Sequence, residues 1–234
     1  MYFSIPHRTL SLLALLALPA AAHDLWLERD AAGWTLLLGH RHSAHDGADT
    51  LPYAAGLVRA ATCIEAEGRR RALPTGATPW RTTATDCALL RLDLSSGYWS
   101  KTPWETKNVP KSEAPGALRS WLSEESLKFL ARWTAAARTP LGQGLEITPL
   151  SDPTSLAVGD KFTVLVSLDG RPWANAPVAL NGETRGESDA AGRINLRLRR
   201  IGLQLVSTSA ETPLADGKAD WHLRAASLQF ETRR

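Results

Sequence analysis

Histidine is the residue type whose placement in this chain is best suited to chemistry. The chain of 234 residues contains six histidines, and four of them are concentrated near its beginning. These four are His23, His40, His42 and His45. Imidazole nitrogens bind Ni(II), Co(II), Cu(II) and Zn(II). The spacing therefore predicts a site for a divalent transition metal in this part of the chain.

A predicted secretory signal precedes His23, and its removal would make His23 the amino-terminal residue. Residues 1–22 combine a basic start, an apolar run over residues 10–18 and small residues before His23, which is typical of a cleaved signal peptide. Cleavage before His23 leaves an α-amino group and an imidazole on one residue, so that two nitrogens can bind the same ion. The pattern predicts export to the periplasm. No later apolar run is long enough for a transmembrane helix.

His40 and His42 continue an alternating pattern that is typical of a strand. Trp34, Leu36 and Leu38 precede them with the same spacing of two. Side chains two residues apart in a strand lie on one face, about 7 Å apart, so a single ion can bridge them. His45 follows in the predicted loop. The sequence also leaves open the alternative that these histidines are structural polar residues.

The chain has two cysteines, Cys63 and Cys87, and both lie in its first half. Oxidation is permitted in an exported protein, so they are predicted to form a disulfide. A thiolate metal site would need further soft ligands nearby, and the sequence provides none. Free or buried thiols are the remaining alternative.

Other classes of function leave no signature in the sequence. The motifs of serine hydrolases, zinc proteases, phosphate-binding loops and dinucleotide-binding folds are missing, so the chain is predicted not to be an enzyme. The net charge is only +3, and the basic runs lack interleaved aromatic residues, which argues against nucleic-acid binding. Most of the nine tryptophans are expected to pack in the core. Trp99 and Trp104 are the ones expected to be exposed for contact with a partner.

Short apolar runs divided by Gly, Pro and Asp indicate a mainly β protein with two sandwich-like domains. The first covers residues 23–140 and includes a Trp- and Pro-rich connection over residues 97–115. A short helix is predicted to start at Ser123 within it. The second domain covers residues 145–231 and is predicted to be an immunoglobulin-like or transthyretin-like sandwich. Its predicted strands are residues 145–150, 162–170, 176–182, 192–198, 201–209 and 222–230.

Four segments of the chain together resemble one protein family. They are His23–Glu28, Gly39–His42, Tyr98–Thr102 and Leu145–Leu150. In this combination the chain is similar to the domain-of-unknown-function 4198 family, periplasmic proteins once described as nickel transport complex proteins of the NikM type. The resemblance covers nearly the whole chain after the signal.

The resemblance implies an accessory protein for nickel or cobalt uptake, with an inner-membrane metal transporter as its partner. Copper or zinc would also suit the same donor atoms. The alternative is a structural or adaptor protein whose β domains contact other proteins without any metal. The sequence does not indicate an oligomeric state.

Overall fold

A computed structural model of the chain describes residues 24–42 and 50–232. The predicted signal peptide, His23 and His45 lie outside the described residues. The described part is mainly β, as predicted, with only two short 3-10 helices, at residues 111–113 and 135–138. No helix in this part of the chain has the length and apolar character needed to cross a bilayer.

Seventeen strands are present in the described residues. In chain order they are β1 (Asp24–Asp30), β2 (Gly33–Gly39), β3 (Thr50–Leu51), β4 (Val58–Ile64), β5 (Arg70–Ala72), β6 (Arg81–Thr82), β7 (Leu89–Lys101), β8 (Thr106–Lys107), β9 (Arg119–Leu130), β10 (Leu145–Pro149), β11 (Lys161–Leu168), β12 (Arg171–Pro172), β13 (Pro177–Leu180), β14 (Glu183–Glu187), β15 (Arg193–Arg197), β16 (Gly202–Pro213) and β17 (Trp221–Thr232). All six strands predicted for the second half of the chain are observed.

A nine-stranded central sheet organises the molecule, and two four-stranded sheets accompany it. The central order is β14-β13-β16-β17-β9-β7-β4-β5, with β8 beside β7. One smaller sheet contains β1, β2, β3 and β6, and the other contains β10, β11, β12 and β15. The pairing of β9 with β17 is parallel, whereas β9 pairs with β7 in the antiparallel direction.

The two smaller sheets cover opposite faces of the central sheet. On β9, Phe129 belongs to a core shared with Leu27 of β1, whereas its neighbour Leu130 belongs to a core shared with Ile147 of β10. Successive side chains of a strand point to opposite faces, so these two cores lie on the two sides of the central sheet. The result is three β layers with sandwich-like packing, which agrees with the predicted fold class.

The helix predicted at Ser123 was wrong, because this segment lies within the strand β9. Both edges of β9 are paired, with β7 on one side and β17 on the other. This pairing outweighs the local helix-start signal of Ser123 and its glutamates. The Trp- and Pro-rich connection is also shorter than expected, since Gly97–Lys101 extends β7.

The central sheet runs across the boundary that was predicted near residues 140–145. β9 comes from the first predicted domain and β17 from the second, yet they are hydrogen-bonded neighbours over ten residue pairs. The two halves are therefore hydrogen-bonded to each other through one sheet. The division into two domains, residues 23–140 and residues 145–231, stays a prediction.

The predicted disulfide is present. Cys63 at the end of β4 and Cys87 just before β7 are joined, with their Cα atoms 5.3 Å apart. Both are buried in the core beneath β1 and β2.

Candidate metal-binding site

His40 and His42 follow β2 and do not belong to it. The strand ends at Gly39, which pairs with Asp24 at the start of β1. Beyond this pair the chain bends at residues 41 and 42. The prediction that the two histidines share a strand face was therefore wrong, because the regular pairing stops one residue before His40.

The bend carries His42 back to Asp24. The imidazole Nδ1 of His42 lies 3.2 Å from Asp24 Oδ2, and the backbone N–H of His42 donates to the same oxygen at 3.1 Å. The imidazole side chain is only 6% exposed, whereas the carboxylate is 23% exposed. Two contacts from one residue thus fix the carboxylate against the imidazole.

The second ring nitrogen of His42 is buried and has no hydrogen-bond partner among the described residues. A carboxylate only accepts hydrogen bonds, so the contact with Asp24 places the ring proton on Nδ1. The lone pair of the neutral ring is then on Nε2. A histidine oriented by a carboxylate through one nitrogen, with the other nitrogen unpaired, is the usual arrangement of a metal-ligating histidine.

A tight turn of the second half of the chain packs against His42. Asn181 and Gly182 join β13 to β14, and both have positive φ, 54° and 79°, as their sequence favours in a two-residue hairpin. A Cβ atom at residue 182 would lie 2.8 Å from His42 Cβ. Because residue 182 is a glycine, no side-chain atom of the turn clashes with His42 in its observed position.

The family comparison covers this whole region. The sequence model of DUF4198, a domain of unknown function, matches residues 20–212. The chain belongs to this family. The match includes Asp24, His40 and His42, and it confirms the family resemblance without assigning nickel transport. Among curated proteins, none matches the chain.

In this DUF4198 chain, the structure describes only two of the four predicted ligands, His40 and His42. It brings His42 to Asp24 and places the half-buried His40 directly after the pair formed by Gly39 and Asp24. His23 and His45 lie outside the described residues. Sequence reasoning missed Asp24 as the partner of His42, although its position beside His23 was the available signal. A further histidine, His222 on β17, lies away from this site, and its Nε2 is 2.7 Å from a carboxylate oxygen of Glu124.

A second acidic residue, Glu125 on β9, is electrostatically coupled to Asp24. Loss of hydration on burial, followed by the negative charge of Asp24, raises the pKa of Glu125 to about 8, against a smaller opposing effect of a hydrogen bond with Ser227. Sequence reasoning missed this residue because it fell in the predicted helix. Its side chain points to one face of β9. Farther along the strand, the β1–β2 layer covers this same face.

Replacing Glu125 by glutamine should stabilise the protein above neutral pH. Below the ordinary carboxyl pKa of 4.5 the group is protonated in both the folded and unfolded states. As pH rises toward 8, the Glu125 carboxyl loses its proton in the unfolded state before it does so in the folded state. The free energy of unfolding therefore decreases over this range. We expect Glu125→Gln to add about 2 kcal/mol to the free energy of unfolding near pH 8.5, less than the full pKa difference because the side chain keeps some contact with water.

The measurement is urea denaturation of both proteins near pH 8.5 and near pH 4. The gain should vanish at the acidic pH. Glu113→Gln, in the exposed 3-10 helix at residues 111–113, is the matched control. An equal gain at both pH values would contradict the proposed cause.

A second group of metal-type donors is chemically blocked. Cys63, Asp86 and Cys87 offer donor atoms within 4.8 Å of one another. The two sulfur atoms are joined to each other, so neither is available as a thiolate. Asp86 forms an ion pair with Arg71 at 2.8 Å. This group is a disulfide with a neighbouring ion pair.

A large cleft lies at the other end of β1, and its lining does not include His42 or Asp24. Its volume is about 800 Å³, and its walls include Arg29, Trp34, Arg132 and Trp133. Among its lining residues there is no histidine, and the one cysteine, Cys87, is in the disulfide. The cleft therefore adds no donor to the site around His42.

Proposed function

We propose that this DUF4198-family protein binds a divalent transition metal, nickel or cobalt, and acts as a periplasmic accessory protein of metal uptake. The observation that carries the proposal is His42: its Nδ1 is held by Asp24, and its buried Nε2 has no partner within residues 24–42 and 50–232. An unpaired buried nitrogen costs free energy, which metal coordination would recover. The proposal also includes cleavage of the signal after residue 22 and delivery of the bound metal to an inner-membrane transporter.

The proposed ligands are nitrogen atoms. His42 contributes Nε2, and His23 contributes its α-amine and its imidazole once the signal is removed. His40 and His45 are the further candidates. Asp24 is assigned the role of holding His42, because its Oδ2 already accepts two contacts from that residue. Imidazole and amine donors suit Ni(II) and Co(II), and also Cu(II) and Zn(II), so supply and geometry must decide among them.

Substitution of His42 should weaken Ni(II) binding more than substitution of its partner. We expect His42→Ala to lower the affinity at least a hundredfold. Asp24→Ala should lower it about tenfold to a hundredfold, because the ring loses its orientation but keeps its donor. The measurement is calorimetric titration of protein that begins at His23 with Ni(II), Co(II), Cu(II) and Zn(II). His222→Ala is the matched control. Its partner Glu124 lies on one face of β9, and Glu125, which is coupled to Asp24, lies on the opposite face. His222 is therefore separate from the proposed ligands.

Two further measurements test the ligand chemistry. A variant with one residue added before His23 moves the α-amine away and should also bind less tightly. Affinity for each metal should fall as pH drops below about 6.5, where imidazole takes up a proton. If the His42, Asp24 and extended variants all bind Ni(II) and Cu(II) as tightly as the unmodified protein, the adaptor function without metal is the better account.

A further inference from the structure

Three tryptophans stand side by side on adjacent strands of the central sheet. Trp99 of β7 pairs with Trp121 of β9, and Trp121 pairs with Trp221 of β17. Paired residues of neighbouring strands project from the same face. The rings of Trp99 and Trp121 are 6.4 Å apart at their centroids and only 11° from parallel. We call Trp99, Trp121 and Trp221 the tryptophan row.

The tryptophan row lies outside both hydrophobic cores. Trp121 precedes the core residue Leu127 by six positions, which is about 20 Å along the strand. None of the three tryptophans belongs to either core cluster. Trp221 is 38% exposed, and the other two are half-buried. Core packing therefore does not account for these side chains.

The opposite face of the same strand ends is closed. Ser100 and Ser120, which neighbour the row along β7 and β9, are fully buried. Ser100 donates to the carbonyl of Val109, and Ser120 donates to the carboxylate of Asp220. The segments that precede β9 and β17 thus cover this face. The row is the aromatic surface left on the other face.

Charged groups around the row are nearly balanced. Arg119 lies 5.8 Å from the ring of Trp121 and forms an ion pair with Glu211 of β16. Lys101 continues the same face of β7. A nucleic-acid surface would need an excess of cations along a phosphate path. This composition favours a neutral ligand that hydrogen-bonds both to a guanidinium and to a carboxylate.

The dimensions of the row favour a small ligand over a protein. Tryptophans bury about 150–250 Å² each, so three rings exposed by roughly a third offer about 200 Å². A stable protein interface needs about 800 Å² from each partner. Across three strands the row is about 10 Å long, the scale of two linked sugar rings. The electron-rich face of an indole attracts the C–H groups on one face of a pyranose.

We propose that the tryptophan row is a binding site for a neutral oligosaccharide. Its pyranose rings stack on Trp99, Trp121 and Trp221, and its hydroxyl groups hydrogen-bond with Arg119 and Glu211. This proposal does not depend on metal binding, because the row shares no residue with the site around His42.

The test is calorimetric and fluorescence titration of the protein with cellotetraose, chitotetraose and maltotetraose. We expect saturable binding of at least one sugar in the millimolar range or tighter. Trp121→Ala should weaken it at least tenfold, whereas Trp121→Phe should restore part of the affinity because a ring is retained. Thermal unfolding verifies that each variant is folded.

Trp104→Ala is the matched control. Trp104 is 90% exposed and lies outside the row, so its loss should leave sugar affinity unchanged. Failure of all three sugars to bind, or equal losses in the Trp104 and Trp121 variants, would overturn the proposal. Dimerisation that disappears in Trp121→Ala would instead assign the row to contact with a second copy of this chain.

Discussion

Glu146→Ala should lower the free energy of unfolding by about 3–5 kcal/mol, because it leaves a buried ammonium group without its counter-charge. Lys128 of β9 and Glu146 of β10 are 3% and 1% exposed. The Lys128 ammonium contacts a Glu146 carboxylate oxygen and also donates to Thr148 Oγ1 at 3.1 Å. The carboxylate further accepts the backbone N–H groups of Leu141 and Gly142. This one side chain therefore connects β9 with the segment that leads into β10.

The loss should depend on pH in a definite direction. Burial lowers the pKa of Lys128, and Glu146 opposes that effect. Without Glu146 the folded state prefers the neutral amine, while the unfolded lysine keeps its proton up to about pH 10.4. The unfolded state then binds more protons, so the stability of the variant should rise with pH. Urea denaturation near pH 6 and pH 9 measures the difference.

A paired substitution separates charge from packing. Lys128→Met with Glu146→Gln removes both charges while keeping similar volumes and an acceptor for the two backbone N–H groups. It should recover most of the stability lost in Glu146→Ala, since buried ion pairs are often replaceable by uncharged groups. A double variant as unstable as Glu146→Ala would contradict the electrostatic explanation.

Removing the disulfide should lower the free energy of unfolding by roughly 3–4 kcal/mol. Cys63 and Cys87 are 24 positions apart, and the chain-entropy estimate for a closed loop of that size gives this value. The variant Cys63→Ala with Cys87→Ala measures the effect by urea denaturation under oxidising conditions.

The reductant supplies the control for this experiment. A thiol reductant should destabilise the unmodified protein and leave the double variant unchanged. Thiol counting under denaturing, non-reducing conditions should find no free thiol in the unmodified protein. Two free thiols, or a double variant as stable as the unmodified protein, would contradict this prediction.

Local sequence patterns were sufficient for most strands of the second half of the chain. Alternating apolar residues and short turns act over a few positions, so they are visible without any knowledge of partners. The turn at Asn181 and Gly182 is an example, since both residues adopt the positive φ that their types favour. The disulfide was predictable for a related reason, because only one pairing of two cysteines exists.

Long-range pairing could not be predicted from the sequence. β9 follows a pattern that also suits a helix, and its two neighbours, β7 and β17, lie far apart along the chain. The end of β2 at Gly39 depends in the same way on where β1 begins. The contact of His42 with Asp24 arises from that strand end, so the sequence predicted the histidine without its partner. The coupling of Glu125 to Asp24 required the fold itself.

The placement of β17 has a consequence for how the chain acquires its structure. This strand comes last among the described strands, yet it lies inside the central sheet between β16 and β9. Contacts between residues so distant along the chain are formed late and slowly. Without residues 221–232, β9 therefore keeps one edge without a hydrogen-bonded neighbour. A chain truncated after residue 220 should therefore be far more sensitive to protease than the full-length chain.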